Sequence, residues 1–239
     1  MSINTPITKE NLNDCLKELA KEFRRINEKS MPAEIILVGG AAVLANYGFR
    51  DATYDVDAVI NVSSAMKEAA NRVGDHLGLP NGWLNMDFRK TKSYSDKLAQ
   101  VSVYYKTYSN ILTIRTVAAA YLIAMKLMSG REYKFDLSDI VGILLEHEHS
   151  GKHILREAID RAVIELYGNW DDIPAVSKNL LDAAFESGDY EKVYREIRES
   201  EKESKEILLE FDEKYPNALN ADNLDDILKK AREKSNGIE

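Results

Sequence analysis

The sequence predicts an α/β fold of the α+β kind, in which helices flank a small mixed β-sheet and an all-helical C-terminal region follows. Short apolar runs rich in β-branched residues alternate with amphipathic helical patterns in residues 1–147, whereas residues 148–239 carry helical patterns throughout. The chain has 239 residues, of which 44% are hydrophobic, enough for one sizeable core and a small second one. We therefore predict one α/β domain over residues 1–147 and a helical region over residues 148–239.

The first predicted elements are a helix, a strand and a second helix. Apolar residues recur at three-to-four spacing over residues 12–26, which predicts an amphipathic helix. The apolar run Ile35–Val38 predicts a buried strand. Gly39 and Gly40 end that strand, and the apolar residues 41–45 predict the first turns of the next helix.

A second strand and a capped helix follow. Asp55–Ile60 predicts the strand. Ser63 or Ser64 is suited to cap a helix that runs to Leu77, and Gly78 is suited to end it.

A hairpin and an apolar helix complete the predicted α/β domain. The runs 98–105 and 111–116 predict two strands, and residues 108–110 suit a hairpin turn. Residues 117–128 predict a strongly apolar helix that ends at Gly130. Later segments have helical patterns, with breaks at Gly151, Gly168, Pro174, Gly188 and Pro216.

Composition argues against several classes of protein. No run of about 18 apolar residues occurs, so we expect no membrane-spanning helix. The first residues lack the basic and apolar regions of a secretion signal, so we expect a cytoplasmic protein without a membrane partner. The single cysteine, Cys15, excludes an internal disulfide, and no CxxC motif is present to hold zinc.

The formal net charge of −8 argues against a protein that coats nucleic acid, but the charge is unevenly distributed. Residues 87–134 contain nine basic and three acidic residues, whereas residues 186–239 contain sixteen acidic and ten basic ones. A basic middle in an acidic protein indicates an anionic ligand bound there. The alternative is a solvated surface with uneven charge.

The motif that carries chemistry is a glycine pair followed by two aspartates. Fourteen residues separate Gly40 from Asp55, and Asp57 follows two positions later. Side chains alternate along a strand, so both carboxylates would lie on one face, about 6 to 7 Å apart along the backbone. Carboxylates this close repel each other unless a cation lies between them, and a hard divalent ion, Mg²⁺ (or Mn²⁺), suits them. The alternative is a polar sheet edge.

Gly39 and Gly40 predict a phosphate site at the start of a helix. Free backbone N–H groups and the helix dipole favour a phosphate there, and glycine lets it approach closely. Together with the carboxylates, this predicts a metal–triphosphate site for in-line attack of a hydroxyl on the α-phosphorus. Arg50 and Thr53 are placed to contact the triphosphate or the acceptor. The alternative for the glycine pair is a tight structural turn.

These residues resemble the signature of the DNA polymerase β-type nucleotidyltransferase superfamily. The resemblance is carried by Gly39-Gly40, Arg50, Thr53 and Asp55-Val56-Asp57.

A later stretch narrows the resemblance. Residues 121–131 (YLIAMKLMSGR), with Asp136 and Asp139-Ile140, are similar to the branch that contains abortive-infection (AbiEii-like) toxins of toxin–antitoxin systems and their uncharacterised relatives. Residues 83–85 (WLN) also resemble this branch, and the resemblance covers roughly residues 34–145.

The resemblance implies a polymerase β-like fold and an enzyme that transfers a nucleoside monophosphate from a nucleoside triphosphate, with release of pyrophosphate. The implied acceptor hydroxyl belongs to RNA, such as a tRNA 3′ end, or to a protein. The protein would then be the toxin of a toxin–antitoxin pair, with a cognate antitoxin as partner. Two alternatives stay open: transfer to a small molecule, as in antibiotic-modifying relatives, and a degenerate member that binds without turnover.

Lys126 and Arg131 are further candidates for the nucleotide site. Lys126 lies in the predicted apolar helix, which is unusual for an ammonium without a partner. With the resemblance, we favour a catalytic contact to the triphosphate, so that Lys126→Met would cost activity while stability stays equal or rises slightly. The alternatives are a lysine that reaches solvent and, for Arg131, a cation that simply stabilises a helix C-terminus.

A third carboxylate is missing from the predicted strands. Members of the superfamily with full catalysis usually carry one on a neighbouring strand, but the predicted strand segments 100–105 and 111–115 contain no acid. Asp87 and Asp136 are the candidates to replace it. Asp136 is also a candidate N-cap of an apolar helix, and we favour that role over metal binding.

Overall fold

The computed structural model describes residues 6–27, 31–53, 55–60, 63–85, 87–220 and 223–235. Within these ranges the chain forms a mixed five-stranded sheet, a two-stranded sheet and nine helices, with helices alone after the sheet. The predicted fold class is therefore confirmed. None of the described helices has the length and hydropathy needed to cross a membrane.

Seven strands form the two sheets. They are β1 (Ile7–Thr8), β2 (Ala33–Leu37), β3 (Ala52–Thr53), β4 (Val56–Ile60), β5 (Leu84–Asn85), β6 (Ser102–Tyr108) and β7 (Leu112–Val117). The main sheet has the strand order β5-β4-β2-β7-β6. β2 lies antiparallel to β4 and parallel to β7, β4 lies parallel to β5, and β6 and β7 form an antiparallel hairpin. The two short strands β1 and β3 pair separately.

Helices pack around this sheet and form the C-terminal part of the described chain. Short 3₁₀ turns also occur at Asp87–Lys90 and Asp96–Ala99. The helices are α1 (Lys9–Ile26), α2 (Gly39–Asn46), α3 (Ser64–Leu77), α4 (Ala119–Ser129), α5 (Asp136–His149), α6 (Arg156–Tyr167), α7 (Ala175–Ser187), α8 (Tyr190–Lys214) and α9 (Leu224–Ser235).

Local signals locate several boundaries correctly. The hydroxyl of Ser63 caps α3 by accepting from the Met66 N–H, and Gly78 ends the helix with a φ of +64°. Gly130 ends α4 in the same way, with a φ of +56°. The predicted hairpin is present, with both Ser109 and Asn110 at positive φ.

The first strand of that hairpin begins later than predicted. Residues 96–99 form a 3₁₀ turn, because the Ser95 hydroxyl accepts from the Lys97 N–H and Leu98 is buried in the core. The strand therefore runs over Ser102–Tyr108.

A buried carboxylate connects α8 to the start of α5. Oε1 of Glu201 accepts hydrogen bonds from the backbone N–H groups of Leu137, at 2.9 Å, and Ser138, at 3.3 Å. These N–H groups belong to the first turn of α5, where a helix has donors without internal partners. The later helices thus support the part of α5 that faces the candidate site. The division into 1–147 and 148–239 stays a prediction.

Candidate active site

The glycine pair lies where β2 gives way to α2. β2 ends at Leu37 and α2 begins at Gly39 itself, so the turn lies at a helix N-terminus. Gly39 has a φ of +55°, which L side chains rarely adopt. The Val38 N–H donates to the carbonyl of Asp57 at 3.0 Å and so holds the turn against β4. The predicted strand–turn–helix arrangement is present.

Asp55 and Asp57 lie beside this turn, but Asp55 precedes β4 rather than lying within it. Beyond Val38 the chain continues as helix α2, so no residue of β2 lies opposite Asp55. The pairing of β2 with β4 therefore ends with the hydrogen bond from Val38 to Asp57. The Thr53 hydroxyl donates to the backbone carbonyl of Asp55 at 3.1 Å instead. Asp55 is exposed, Asp57 is half-buried, and both carboxylates line one cleft.

Asn85 is a site residue that the sequence motifs did not assign. β5 pairs in parallel with β4 so that Asn85 lies opposite Asp57, and the amide hydrogen-bonds to the Asp57 carboxylate. Oδ1 of Asn85 accepts from the Asp87 N–H at 3.1 Å. The strand position beside Asp57 therefore carries a neutral amide. Only the resemblance of residues 83–85 to the toxin branch signalled this position.

The cleft encloses about 570 Å³, including its open mouth. A side branch extends past Asn85 toward Thr91 and Lys92. The predicted site residues that line the cleft are Gly39, Gly40, Arg50, Thr53, Asp55, Asp57, Lys126, Arg131 and Asp136.

A buried charge cluster forms the wall opposite the carboxylate pair. The Lys126 ammonium lies 2.7 Å from Oδ1 of Asp136 and 2.7 Å from Oδ2 of Asp139. Arg50 pairs with Asp139 at 2.5 Å, and Nε of Arg131 donates to Asp136 at 2.7 Å. The Lys126 side chain is 5% exposed and both aspartates are 1% exposed. Lys126 is thus a member of an ion-pair network as well as a wall of the cleft.

The network fixes the charge of its members. Burial lowers the pKa of Lys126, but the carboxylates of Asp136 and Asp139 outweigh this effect and the net shift is upward. Burial raises the pKa of Asp136, yet Lys126 and Arg131 outweigh it and hold that pKa well below its usual range. Lys126 and Asp136 therefore stay charged at neutral pH.

Asp136 does not cap α5, contrary to the sequence-based preference. Phe135 occupies the N-cap position with a φ of +61°, and no side chain caps the helix there. The carboxylate of Asp136 turns instead to Lys126 and Arg131, because these cations offset the cost of burying it. Each of its oxygens accepts from one of these cations, and the role of Asp136 as a third carboxylate stays a prediction.

Asp87, the other candidate for a third carboxylate, lies at the rim of the side branch. It begins a 3₁₀ turn and pairs with Lys90 at 2.8 Å, with both side chains largely exposed. Among the residues that the structure describes, no group of three histidine, cysteine or acidic side chains is arranged to hold a metal ion. The carboxylates of Asp55 and Asp57 line the cleft together, and the role of Asp87 as a third carboxylate stays a prediction.

Gly40 makes room for Arg50. A Cβ at Gly40 would lie 2.9 Å from Nη2 of Arg50 and 3.0 Å from the Thr53 hydroxyl. Arg50 is fixed by Asp139 and by the carbonyl of Ala52, to which its Nε donates. Because glycine has no side chain, the Arg50 guanidinium can lie against the glycine turn at Gly40.

The carboxylate pair fits a hard divalent cation. Burial, followed by the charge of Asp55, raises the pKa of Asp57, while Arg131 and Lys126 lower it to a smaller extent. A bound cation would offset both the burial of Asp57 and its repulsion from Asp55. Two carboxylates facing one polar cleft suit one Mg²⁺ or Mn²⁺, with room for water and phosphate oxygens as further ligands.

A glycine turn at the start of a helix, with paired carboxylates beside it and cations lining the same cleft, places the molecule among nucleotidyltransferase-like α/β proteins. Residues 14–185 match the model of a family described as a nucleotidyltransferase of unknown function (DUF6036), and the chain belongs to that family. No curated protein and no solved structure matches the chain. The match supports the superfamily that the motifs resemble, while the abortive-infection branch stays a prediction.

Proposed function

We propose that this protein is a Mg²⁺-dependent nucleotidyltransferase that moves a nucleoside monophosphate from a nucleoside triphosphate to an acceptor hydroxyl. One observation carries the proposal: the glycine turn at the start of α2 and the carboxylates of Asp55 and Asp57 face the same cleft. A helix N-terminus attracts phosphate, and paired carboxylates attract the cation that accompanies a triphosphate.

The residues of the cleft divide into two roles. Asp55 and Asp57 would hold Mg²⁺ (or Mn²⁺), which supplies charge neutralisation and a fixed position for the phosphates. The backbone of Gly39-Gly40 receives phosphate oxygens. The Lys126 ammonium contacts Asp136 and Asp139 and lines the cleft, where its remaining N–H would donate to a phosphate.

Arg131 has the most accessible charge of the cluster. Its side chain is 40% exposed, whereas that of Arg50 is 11% exposed. Because Nε and Nη2 of Arg131 both donate to Asp136, the guanidinium is held in one orientation, and its Nη1 would stabilise negative charge on the leaving pyrophosphate.

The reaction exchanges one phosphoanhydride bond for one phosphodiester bond. The acceptor hydroxyl oxygen forms a bond to the α-phosphorus, and the bond from that phosphorus to the oxygen bridging to the β-phosphorus breaks. Pyrophosphate leaves with the electron pair, and the hydroxyl proton passes to water. The protein contributes positioning and electrostatic stabilisation.

The proposal is tested with each of the four α-labelled nucleoside triphosphates, Mg²⁺, and a cell extract divided into RNA, protein and small molecules. We expect label in one fraction with the wild type and none with the double variant Asp55→Asn, Asp57→Asn. Asp75→Asn, on the exposed face of α3, is the matched control. Equal labelling by the double variant would refute the assignment of the carboxylate pair.

A degenerate protein that binds nucleotide without turnover is the second candidate. The observation that favours it is the neutral Asn85 amide in the strand position beside Asp57. Triphosphate binding by calorimetry without pyrophosphate release in any fraction would establish this alternative over the first.

The resemblance to abortive-infection toxins extends the proposal to a cellular role. As the toxin of a toxin–antitoxin pair, the wild-type chain would arrest growth when expressed alone, and co-expression of its antitoxin would restore growth. The double variant of Asp55 and Asp57 would be harmless. Arrest by both forms would separate toxicity from nucleotide transfer.

A further inference from the structure

An apolar groove lies next to the cleft and opens toward the C-terminal helices. It encloses about 1000 Å³ between the turn at residues 133–135, helix α8 and the start of α9. Arg50, Thr53 and Asp55 form its inner end. We call this space the apolar groove. Its walls are formed by Tyr133, Phe135, Leu208, Leu209, Leu219 and Leu224.

Asp55 borders both the apolar groove and the cleft that contains the glycine turn. Asp55, Thr53, Arg50 and Lys134 line both spaces, while Gly39 and Gly40 line the cleft. The groove therefore adjoins, at Asp55, the space that a triphosphate at the glycine turn would occupy. In-line displacement places the attacking oxygen and the leaving group on opposite sides of the phosphorus.

Resting on the proposed function, we propose that the apolar groove holds the acceptor, and that the acceptor is a small hydroxyl compound with an apolar, ring-bearing body. The hydroxyl would reach the α-phosphorus at Asp55 while the ring lies among the leucines and aromatic side chains. The side branch past Asn85, lined by Phe88, Thr91 and Lys92, then takes the nucleoside of the donor.

The charge of the groove favours a small apolar acceptor over a polynucleotide. Lys134 and Lys205 are its exposed cations, and Asp212 and Asp55 offset them. An RNA strand gains its affinity from several cations that neutralise successive phosphates. A concave, mostly apolar site with a few convergent polar groups is instead typical of small-molecule pockets.

The walls of the groove are held in place by specific contacts. The Arg198 guanidinium lies 3.7 Å from the centre of the Phe135 ring and stacks on it. Arg232 of α9 pairs with Glu132, and its Nη2 donates to the Ser204 hydroxyl of α8 at 2.7 Å. The turn, α8 and α9 are thus joined, and a ligand would enter a preformed space.

The test measures the acceptor half and the donor half separately. The probe acceptor is 2-naphthol, whose own fluorescence reports binding without nucleotide, and Mg²⁺–triphosphate binding is measured by calorimetry. The variant is Leu209→Arg, at a groove position that is 55% exposed, so that folding is not at risk. Leu155→Arg, at a position 63% exposed at the start of α6, is the matched control.

We expect Leu209→Arg to weaken 2-naphthol binding by about tenfold or more, because a charge enters an apolar wall, while triphosphate affinity stays within about twofold. In the extract assay, label from the triphosphate should enter the small-molecule fraction with the wild type and with Leu155→Arg, and drop about tenfold with Leu209→Arg.

Two results would overturn the assignment of the groove. The first is that the wild type and Leu209→Arg bind 2-naphthol with equal affinity. The second is that the label enters RNA or protein, and does so to the same extent with the wild type and with Leu209→Arg. Failure of the wild type to bind any Mg²⁺–triphosphate would instead refute the proposed function. The naphthol measurement, made without nucleotide, would then still decide whether the groove binds ring-bearing hydroxyl compounds.

Discussion

Lys126→Met should destabilise the protein, in contrast to the expectation from sequence alone. The ammonium lies 2.7 Å from both Asp136 and Asp139, and all three side chains are almost fully buried. Methionine keeps the length and apolar packing of the side chain, so the cavity contribution is small. The free energy of unfolding should fall because the buried carboxylates of Asp136 and Asp139 each lose one of their two cations.

The size of this loss depends on the cations that stay beside each carboxylate. Breaking a buried pair costs about 3 to 5 kcal/mol when the other charge is left alone. Here Asp136 keeps Arg131 and Asp139 keeps Arg50, which places the loss in the free energy of unfolding at the lower end, about 3 kcal/mol. Urea unfolding at pH 7 measures it directly.

Lys90→Met is the control for this measurement. Lys90 pairs with Asp87 at 2.8 Å, but the two side chains are 82% and 77% exposed, so its removal should leave the free energy of unfolding almost unchanged. A loss below about 1 kcal/mol for Lys126→Met would refute the reasoning that the buried network stabilises the fold.

Three further predictions follow from the site. Gly40→Ala should cost about 1 to 3 kcal/mol of stability in urea unfolding and weaken triphosphate binding, because its Cβ would lie 2.9 Å from the fixed Arg50 guanidinium; unchanged affinity would mean that the turn is structural only. Burial raises the pKa of Glu201 to about 7, so the folded state binds a proton that the unfolded state releases, and stability falls as the pH rises from about 4.5 to about 7. Glu201→Gln should remove this pH-dependent loss, which amounts to up to about 3 kcal/mol in the free energy of unfolding. If the free energy of unfolding of the variant changed with pH in parallel with that of the wild type, the prediction would be wrong. Asn85→Asp should tighten Mn²⁺ binding by about tenfold or more in electron paramagnetic resonance titrations, because it adds a third carboxylate beside Asp57; unchanged Mn²⁺ affinity would show that the position does not contact the cation.

Local patterns were sufficient to predict the scaffold of the site. The apolar run before Gly39, the glycine pair and the apolar alternation after Asp55 are short-range signals for β2, α2 and β4, although Asp55 itself lies just before β4. The helix ends at Gly78 and Gly130 were likewise predictable, because a left-handed terminal residue is most easily supplied by glycine.

The partners of the charged residues were not predictable in this way. Arg50 meets Asp139 across 89 positions, and a one-residue change in the pairing of β4 and β5 would remove Asn85 from Asp57. Asp136 shows the limit most clearly. Its place before an apolar helix favoured a cap, but the nearby cations of α4 and the following turn attract its carboxylate more strongly.

The bond from Glu201 to the start of α5 has a consequence for biosynthesis. Glu201 is made 64 residues after Leu137, whose N–H group it accepts from. A growing chain that already contains both glycines and both site aspartates therefore still lacks the carboxylate that completes the first turn of α5. The first turn of α5, which carries Asp136 and Asp139 of the charge network, therefore gains this acceptor only when α8 has been made and has docked.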